Sequence, residues 1–241
     1  MELNKLYLGD TRLLLPKIET GSIDLIVTDP PYKMTARGGV GSTGGMLKKS
    51  IVNSGNVFNH NDIKPKEYLS DFYRVLKTDA HCYIMTNHIN LQDILNSATD
   101  IGFHFVKSLI WDKGNKIMGT YYMSQFEYIL FFRKGANKPI NNFGTSDILR
   151  IPNKKMGNTD DGGNYHDTEK PIALMKVLIE NSSQEGELVL EPFAGIGSTL
   201  LACVESKRNY IGFEIDEKYY NISNQRLKKE DKPLPKGTLF D

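Results

Sequence analysis

Asp29-Pro30-Pro31-Tyr32 is a place in the chain where residue types and spacing could do chemistry, directly after the apolar β-type run Ile23–Thr28. From average residue usage, this tetrapeptide should arise by chance in roughly one chain per thousand of this length. Two successive prolines remove two backbone N–H donors and hold the chain extended. The carbonyl oxygens there lack local helical partners and can accept hydrogen bonds from elsewhere. With the Asp29 carboxylate they form an acceptor-only constellation, which is what an exocyclic amine needs. The amino nitrogen of adenine or cytosine is a poor nucleophile because its lone pair is delocalised into the ring. Asp29 and the Pro30 carbonyl could each accept one N–H, draw the nitrogen toward tetrahedral geometry and free the lone pair. Tyr32 would offer a face for a flipped base to stack on, worth about 1–3 kcal/mol. The bland alternative is a proline-rich strand exit with a capping aspartate.

A second constellation, Glu191-Pro192-Phe193-Ala194-Gly195-Ile196-Gly197-Ser198-Thr199, leaves one strand and opens a helix. Gly195 and Gly197 allow close backbone approach to a ligand and positive φ. The helix start offers free N–H groups and the positive end of a dipole to an anion. Phosphate binding or a plain tight turn would use the same glycines. One strand later, Phe213-Glu214-Ile215-Asp216 puts an acid at a strand end, about 20 residues on, the spacing at which Rossmann-type sites bind ribose hydroxyls. The two features together favour a nucleoside cofactor.

The elements that must position these residues read as strands alternating with helices. Asn4–Leu8 and Ile23–Thr28 are strands flanking a short helix at Thr11–Ile18. Pro65–Lys77 and the segment with Leu91, Ile94, Leu95 and Ala98 are helices by their i, i+3, i+4 spacing. His81–Thr86 is a strand, and Phe103–Trp111 and Phe126–Arg133 read as paired, antiparallel strands. Lys170–Asn181, with Pro171 in its first turn, Gly197–Glu205 and Asp216–Lys229 are helices; Glu187–Leu190 and Tyr210–Ile215 are strands. Such alternation argues for a doubly wound α/β sheet in one domain, 1–241.

Two segments do not fit the sheet: the glycine-rich Lys33–Asn61, expected as a mobile loop, and the irregular Gly135–Tyr165. Both coincide with charge. Net charge is +1, yet Lys33–Lys66 and Arg133–Lys155 each carry +5, leaving −9 on the rest. Two basic loops on an acidic body suit a polyanion, although solvated lysine loops would read alike. Lys33, Arg37, Lys48, Lys49, Arg150, Lys154 and Lys155 are the candidate nucleic-acid contacts.

Composition excludes other classes. With 39% hydrophobic and 24% charged residues the chain is an ordinary globular one, and no window approaches a membrane span. The N-terminus lacks the layout of a secretory signal, so a cytoplasmic location is expected. The five histidines show no metal-ligand spacing, so no metal is expected. Cys82 and Cys203 follow His81 and Ala202, so no Pro-Cys nucleophile is present, and both read as core residues. His81, His104 and Trp111 read as structural, and Tyr121-Tyr122 as an ambiguous aromatic pair.

The motifs together resemble the amino-directed, S-adenosylmethionine-dependent DNA methyltransferases, from Gly9 to about Leu227. The tetrapeptide preceding the glycine motif is similar to the permuted (β) class. Gly9-Asp10 resembles the motif whose aspartate meets the cofactor's adenine. Ile110–Asn115 and Phe126–Phe131 resemble the family's middle strands, and His166-Asp167-Thr168-Glu169-Lys170-Pro171 its His-Pro-Thr-x-Lys-Pro, with Asp167 in place of the proline. The resemblance implies a mostly parallel, seven-stranded, Rossmann-like methyltransferase sheet with an antiparallel hairpin. It implies Asp29, Pro30, Pro31 and Tyr32 as the catalytic set. S-Adenosylmethionine would be held by Asp10, Thr168, Lys170, Glu191, Phe193, Ala194, Gly195, Gly197, Ser198, Thr199 and Glu214. The implied reaction is methyl transfer to adenine N6 of a base flipped from double-stranded DNA, with 135–165 as a short target-recognition insert. Cytosine N4 poses the same chemical problem, RNA is a further alternative substrate, and a silent DNA-binding or cofactor-sensing subunit is the alternative of another class. A homodimer and a restriction endonuclease partner are both compatible with the resemblance.

Overall fold

Apolar residues alternate along the central strands, and the alternation sorts them onto the two faces of one sheet. The computed structural model describes residues 1–31, 63–117, 122–153 and 169–230. In chain order they form β1 (Lys5–Leu8), α1 (Thr11–Leu14) running into a 3-10 turn (Leu15–Lys17), β2 (Ile23–Thr28), α2 (Leu69–Val75) and β3 (Leu76–Thr86). These are followed by α3 (Leu91–Ile101), β4 (His104–Ile117), β5 (Ser124–Arg133) and β6 (Ile148–Arg150). The last elements are α4 (Ile172–Ser182), β7 (Leu188–Glu191), α5 (Ser198–Glu205), β8 (Asn209–Glu214) and α6 (Glu217–Glu230).

The sheet runs β1-β8-β7-β2-β3-β5-β4-β6. Among the described residues, only β5 is antiparallel to its neighbours, β3 and β4; every other pairing there is parallel. The expectation of seven strands is corrected to eight among the described residues. The additional strand, β6, lies inside the stretch read as irregular and pairs with β4 through Ile110↔Ile148 and Trp111↔Leu149. Three residues are too few for periodicity to show. The helix expected over Pro65–Lys77 stops at Val75, where Leu76 turns extended and begins β3. The helix expected from Lys170 starts at Ile172, with Pro171 extended as its N-cap; the residue before a proline is pushed out of the helical region.

One face of the sheet carries Leu25, Val27, Tyr83, Met85, Ile129, Phe131 and Val189 under α4, α5 and α6. The other carries Ile26, Cys82, Ile84, Leu130, Phe132, Leu190, Ile211 and Phe213 under α1, α2 and α3. This is the period of two expected for strands buried on both sides. Cys82 and Cys203 are both fully buried, as read from the sequence, and Trp111 is buried with its indole N–H donating to the Ile151 carbonyl at 2.8 Å.

β2 and β7 are neighbours, through Leu25↔Val189 and Ile26↔Leu190. The next strand in the chain after β2 is β3, and after β7 it is β8, and these lie on opposite sides. A crevice opens at such a switch point, beyond the carboxyl ends of the strands. Asp29 and Pro192 are the first residues past those two ends.

Candidate active site

Asp29 stands where β2 ends, and the alternation that buries Leu25 and Val27 on the α4 face carries its side chain to the same face. Its Oδ2 is in close contact with the Lys170 ammonium, delivered from the segment before α4. Its Oδ1 is buried and accepts no hydrogen bond among the described residues. Burial pushes the Asp29 carboxyl above its ordinary range; Lys170 opposes this and the charge of Glu127 adds to it. Pro30 is buried, continuing the acceptor-rich exit.

Lys170 is only 6% exposed, and its ammonium also lies 3.5 Å from Glu127 Oε2. Glu127 Oε1 in turn contacts Lys113 closely, and the Lys113 ammonium sits 5.0 Å from the centre of the Trp111 ring. Burial works against the Glu127 carboxylate, but the two lysines outweigh it and hold its carboxyl below the ordinary range. Along the sequence neither Glu127 nor Lys113 carries a recognisable role. The available signal was a charge where the alternation demands an inward side chain: Glu127 is two residues from Ile129, and Lys113 two from Trp111.

Glu191 ends β7 and is buried among donors. Its Oε1 accepts from the Thr28 hydroxyl at 2.5 Å and the Phe193 N–H at 3.1 Å, and its Oε2 from the Thr199 hydroxyl at 2.7 Å. The carboxyl therefore ties the end of β2 to the turn after β7 and the start of α5. Burial pushes its pKa up to about 8 despite these three bonds.

The turn itself is shaped by two glycines for two reasons. Gly195, at φ +52°, has nothing within 4 Å of where a Cβ would stand, so its backbone faces open space. Gly197, at φ +84°, is the N-cap of α5 and packs on Ser223 of α6. The Gly195 N–H donates to Glu214 Oε2 and the Asp216 N–H to Glu214 Oε1, both at 2.7 Å. Each carboxylate oxygen keeps a further lone pair for a ligand hydroxyl. Ala194 is pinned by its N–H to the Phe213 carbonyl at 2.8 Å, and Phe193 meets Tyr68 edge to face at 5.3 Å. Ser198 and Thr199 are buried, and their hydroxyls serve Glu169 and Glu191.

Asp10 joins this edge because β1 pairs with β8: the Gly9 N–H donates to the Glu214 carbonyl at 2.8 Å. Asp10 caps α1 and pairs with Arg12 at 2.6 Å, and the Thr11 hydroxyl donates to the Pro192 carbonyl. Arg226 of α6, which sequence reading missed, donates to the Ile196 carbonyl and pairs with buried Glu169, both at 2.7 Å. Gly195 thus faces open space beside the Glu214 carboxylate, and β1 brings Asp10 to the same end of the sheet as Glu214.

Tyr32, Lys33, Arg37, Lys48, Lys49, Lys154, Lys155 and Thr168 lie outside the described residues, as do the glycine-rich loop and Tyr121. Of the basic candidates, Arg150 is placed on β6, exposed, with its guanidinium 3.7 Å from Asp112. Lys134, part of one basic stretch, points inward instead and donates to the carbonyls of Tyr73 and Leu76, each at 2.7 Å. Groups of three or more potential metal ligands do not occur among the described residues, and no helix there is long and apolar enough to cross a membrane.

Sheet and crevice define the α/β methyltransferase class. The DNA methylase family, N6/N4 type, matches residues 23–225, and the chain belongs to that family. Among relatives, the type II methyltransferase M.HinfI of Haemophilus influenzae is 29% identical, covering 97% of this chain and 70% of its own. The structure of M1.HpyAVI in complex with SAM superposes with a TM-score of 0.67 at 22% identity, over 92% of this chain and 98% of that one. The cytosine-N4-specific PvuII DNA methyltransferase gives 0.71 at 17% identity, over 95% and 92%.

Proposed function

We propose that this DNA methylase transfers a methyl group from S-adenosylmethionine to the N6 amino group of adenine in double-stranded DNA. The observation that carries methylation of an exocyclic amine is the Asp29 carboxylate, one oxygen engaged by Lys170 and the other buried without a hydrogen-bond partner among the described residues; adenine rather than cytosine rests on the resemblance of Asp29-Pro30-Pro31-Tyr32. An amine N–H directed at Oδ1 would satisfy that oxygen. A second N–H on the Pro30 carbonyl would complete the acceptor set and localise the nitrogen lone pair. The cofactor supplies a methyl carbon on a sulfonium sulfur: as the new N–C bond forms, the C–S bond breaks and its electrons stay on sulfur. The nitrogen then sheds one proton to Asp29 or to water.

Glu214 and Asp10 would hold the nucleoside hydroxyls and base, and Gly195 the close backbone approach. Glu191 holds the turn against β2, so that the two half-sites keep their separation. The catalytic effect of this chain is positioning and preorganised acceptors. Asp29 on β2 precedes the glycines after β7, which supports the permuted class. Arg150, with Lys33, Arg37, Lys48, Lys49, Lys154 and Lys155, would meet the DNA backbone; a homodimer and a restriction endonuclease partner are further parts of this reading that rest on the sequence resemblance alone.

Labelled S-adenosylmethionine and mixed-sequence duplex DNA, digested to nucleosides after reaction, test the proposal. Label is expected in N6-methyldeoxyadenosine. Label in N4-methyldeoxycytidine would move the target to cytosine with the same acceptors, and label in neither would overturn the reading.

A further inference from the structure

Lys113 and Glu127 stand at the sheet edge where β2 delivers Asp29. Trp111 and Glu127 are direct cross-strand partners, and Trp111 and Ile129 are buried in the core on the α4 face. Lys113 and Glu127 carry charge onto that same face, with side chains only 12% and 19% exposed. Burying a lysine–glutamate pair costs desolvation that packed apolar residues would avoid. Here the pair extends a chain of alternating charge, Lys113–Glu127–Lys170–Asp29, in which one ammonium is shared between two carboxylates.

We propose that Glu127 and Lys113 are positioning residues which, through Lys170, set the charge on the carboxylate that meets the amine. The inference rests on the reading of Asp29 given above. Glu127 draws Lys170 partly off Asp29, so that Asp29 keeps the electron density an amine N–H requires. Lys113 restrains Glu127 from taking the ammonium over entirely. Among the described residues, the charged groups that act on Asp29 are Lys170 from the segment before α4, Glu127 from β5 and Lys113 from β4, and Glu191 from β7 is in turn influenced by Asp29. On top of burial, which dominates, and the opposing Lys170, Glu127 raises the proton affinity of Asp29 and Lys113 lowers it.

The two ends of the chain therefore act in opposite directions. Glu127→Gln should move the acid limb of the kcat–pH profile to lower pH, because the charge that raises the proton affinity of Asp29 is gone. It should lower the plateau of kcat and leave KM for DNA and cofactor close to that of the parent protein. Lys113→Met, which keeps the stem over Trp111, should move the acid limb up. Carboxyl-carbon NMR of the cofactor-free protein should show the Asp29 titration displaced in the same two directions, a readout that does not need turnover. Thermal melting confirms that each variant is folded; should one not fold, the sign for the other decides.

Opposite displacements support the inference. Limbs and titrations that stay in place, or move together, overturn it while leaving the methylation reading intact. A parent protein that labels no nucleoside in DNA overturns that reading and this inference with it.

Discussion

Gly197 and Ser223 are in contact: a Cβ added to Gly197 would stand 2.2 Å from the Ser223 hydroxyl oxygen, which is buried. Gly195, two residues earlier, would meet nothing within 4 Å. The two glycines of one turn thus answer to different demands. Gly197 lets α6 close on α5, and Gly195 faces open space, where the proposed cofactor would approach. Gly197→Ala should cost about 1–3 kcal/mol of stability from strain and overpacking. Gly195→Ala should cost about 1 kcal/mol at positive φ but weaken S-adenosylmethionine binding more than Gly197→Ala does. Melting curves and calorimetric cofactor titrations of the two variants check the split.

Asp29→Ala should lower methyl transfer about 100- to 1,000-fold or more, by analogy with the loss of one preorganised group in other sites. Lys170 would still face Glu127, so the ammonium is not left without a counter-charge. Cofactor affinity and the fold should therefore persist. Near-parental turnover by a folded Asp29→Ala protein would remove Asp29 from the site.

Glu191 makes stability depend on pH in the neutral range. Its folded pKa, about 8, is above the ordinary 4.5, so the folded state holds a proton that the unfolded state releases. The stabilisation is complete below about pH 4.5 and is lost as pH rises through about 8. Glu191→Gln keeps an acceptor for Phe193 and Thr28 and offers an amide to Thr199. Its melting temperature should vary less between pH 5 and pH 8 than that of the parent protein; an unchanged slope would show that Glu191 is not the group responsible.

His81 acts with the opposite sign. Its Nε2 is 2.9 Å from the Lys138 carbonyl, which can only accept, so Nε2 carries the proton and Nδ1 accepts from Ser182 at 2.7 Å. The Ser182 oxygen is then left to accept from the Tyr83 hydroxyl at 2.7 Å. Burial lowers the pKa of the ring to about 4 from 6.5. Stability should therefore fall as pH drops from about 6.5 through about 4, because the unfolded state takes up the proton first. The effect is cleanest in the Glu191→Gln background, where His81→Gln should flatten the acid side of the melting profile.

Much of this protein was legible along the chain. Strand and helix alternation, the strand exit at Asp29 and the glycine turn before α5 follow from local preference and from a period of two or 3.6, which any short window displays. The facing of Asp29, Glu127 and Lys113 was not legible in the same way: Asp29 and Lys113 lie beyond the expected strands, and only the structure shows that each stands two residues from an apolar neighbour buried on the α4 face. Nor did the period say which charges would meet. β6 escaped because three residues carry no period, and Lys134 escaped because whether a lysine faces solvent or two carbonyls depends on what packs over it.

The tertiary structure decided the pairings. Lys170 and Asp29 are 141 residues apart in the chain, and Thr28 and Glu191 163 apart. They meet because β7 inserts beside β2 and α4 crosses the face that both strands share. Strand order is a property of the closed core, set by which apolar faces can be buried together, and no local preference encodes it. The sequence determined the chemistry each segment could bring; the order of the sheet determined that the Asp29 acceptor, the Lys170 ammonium and the glycine turn share one edge.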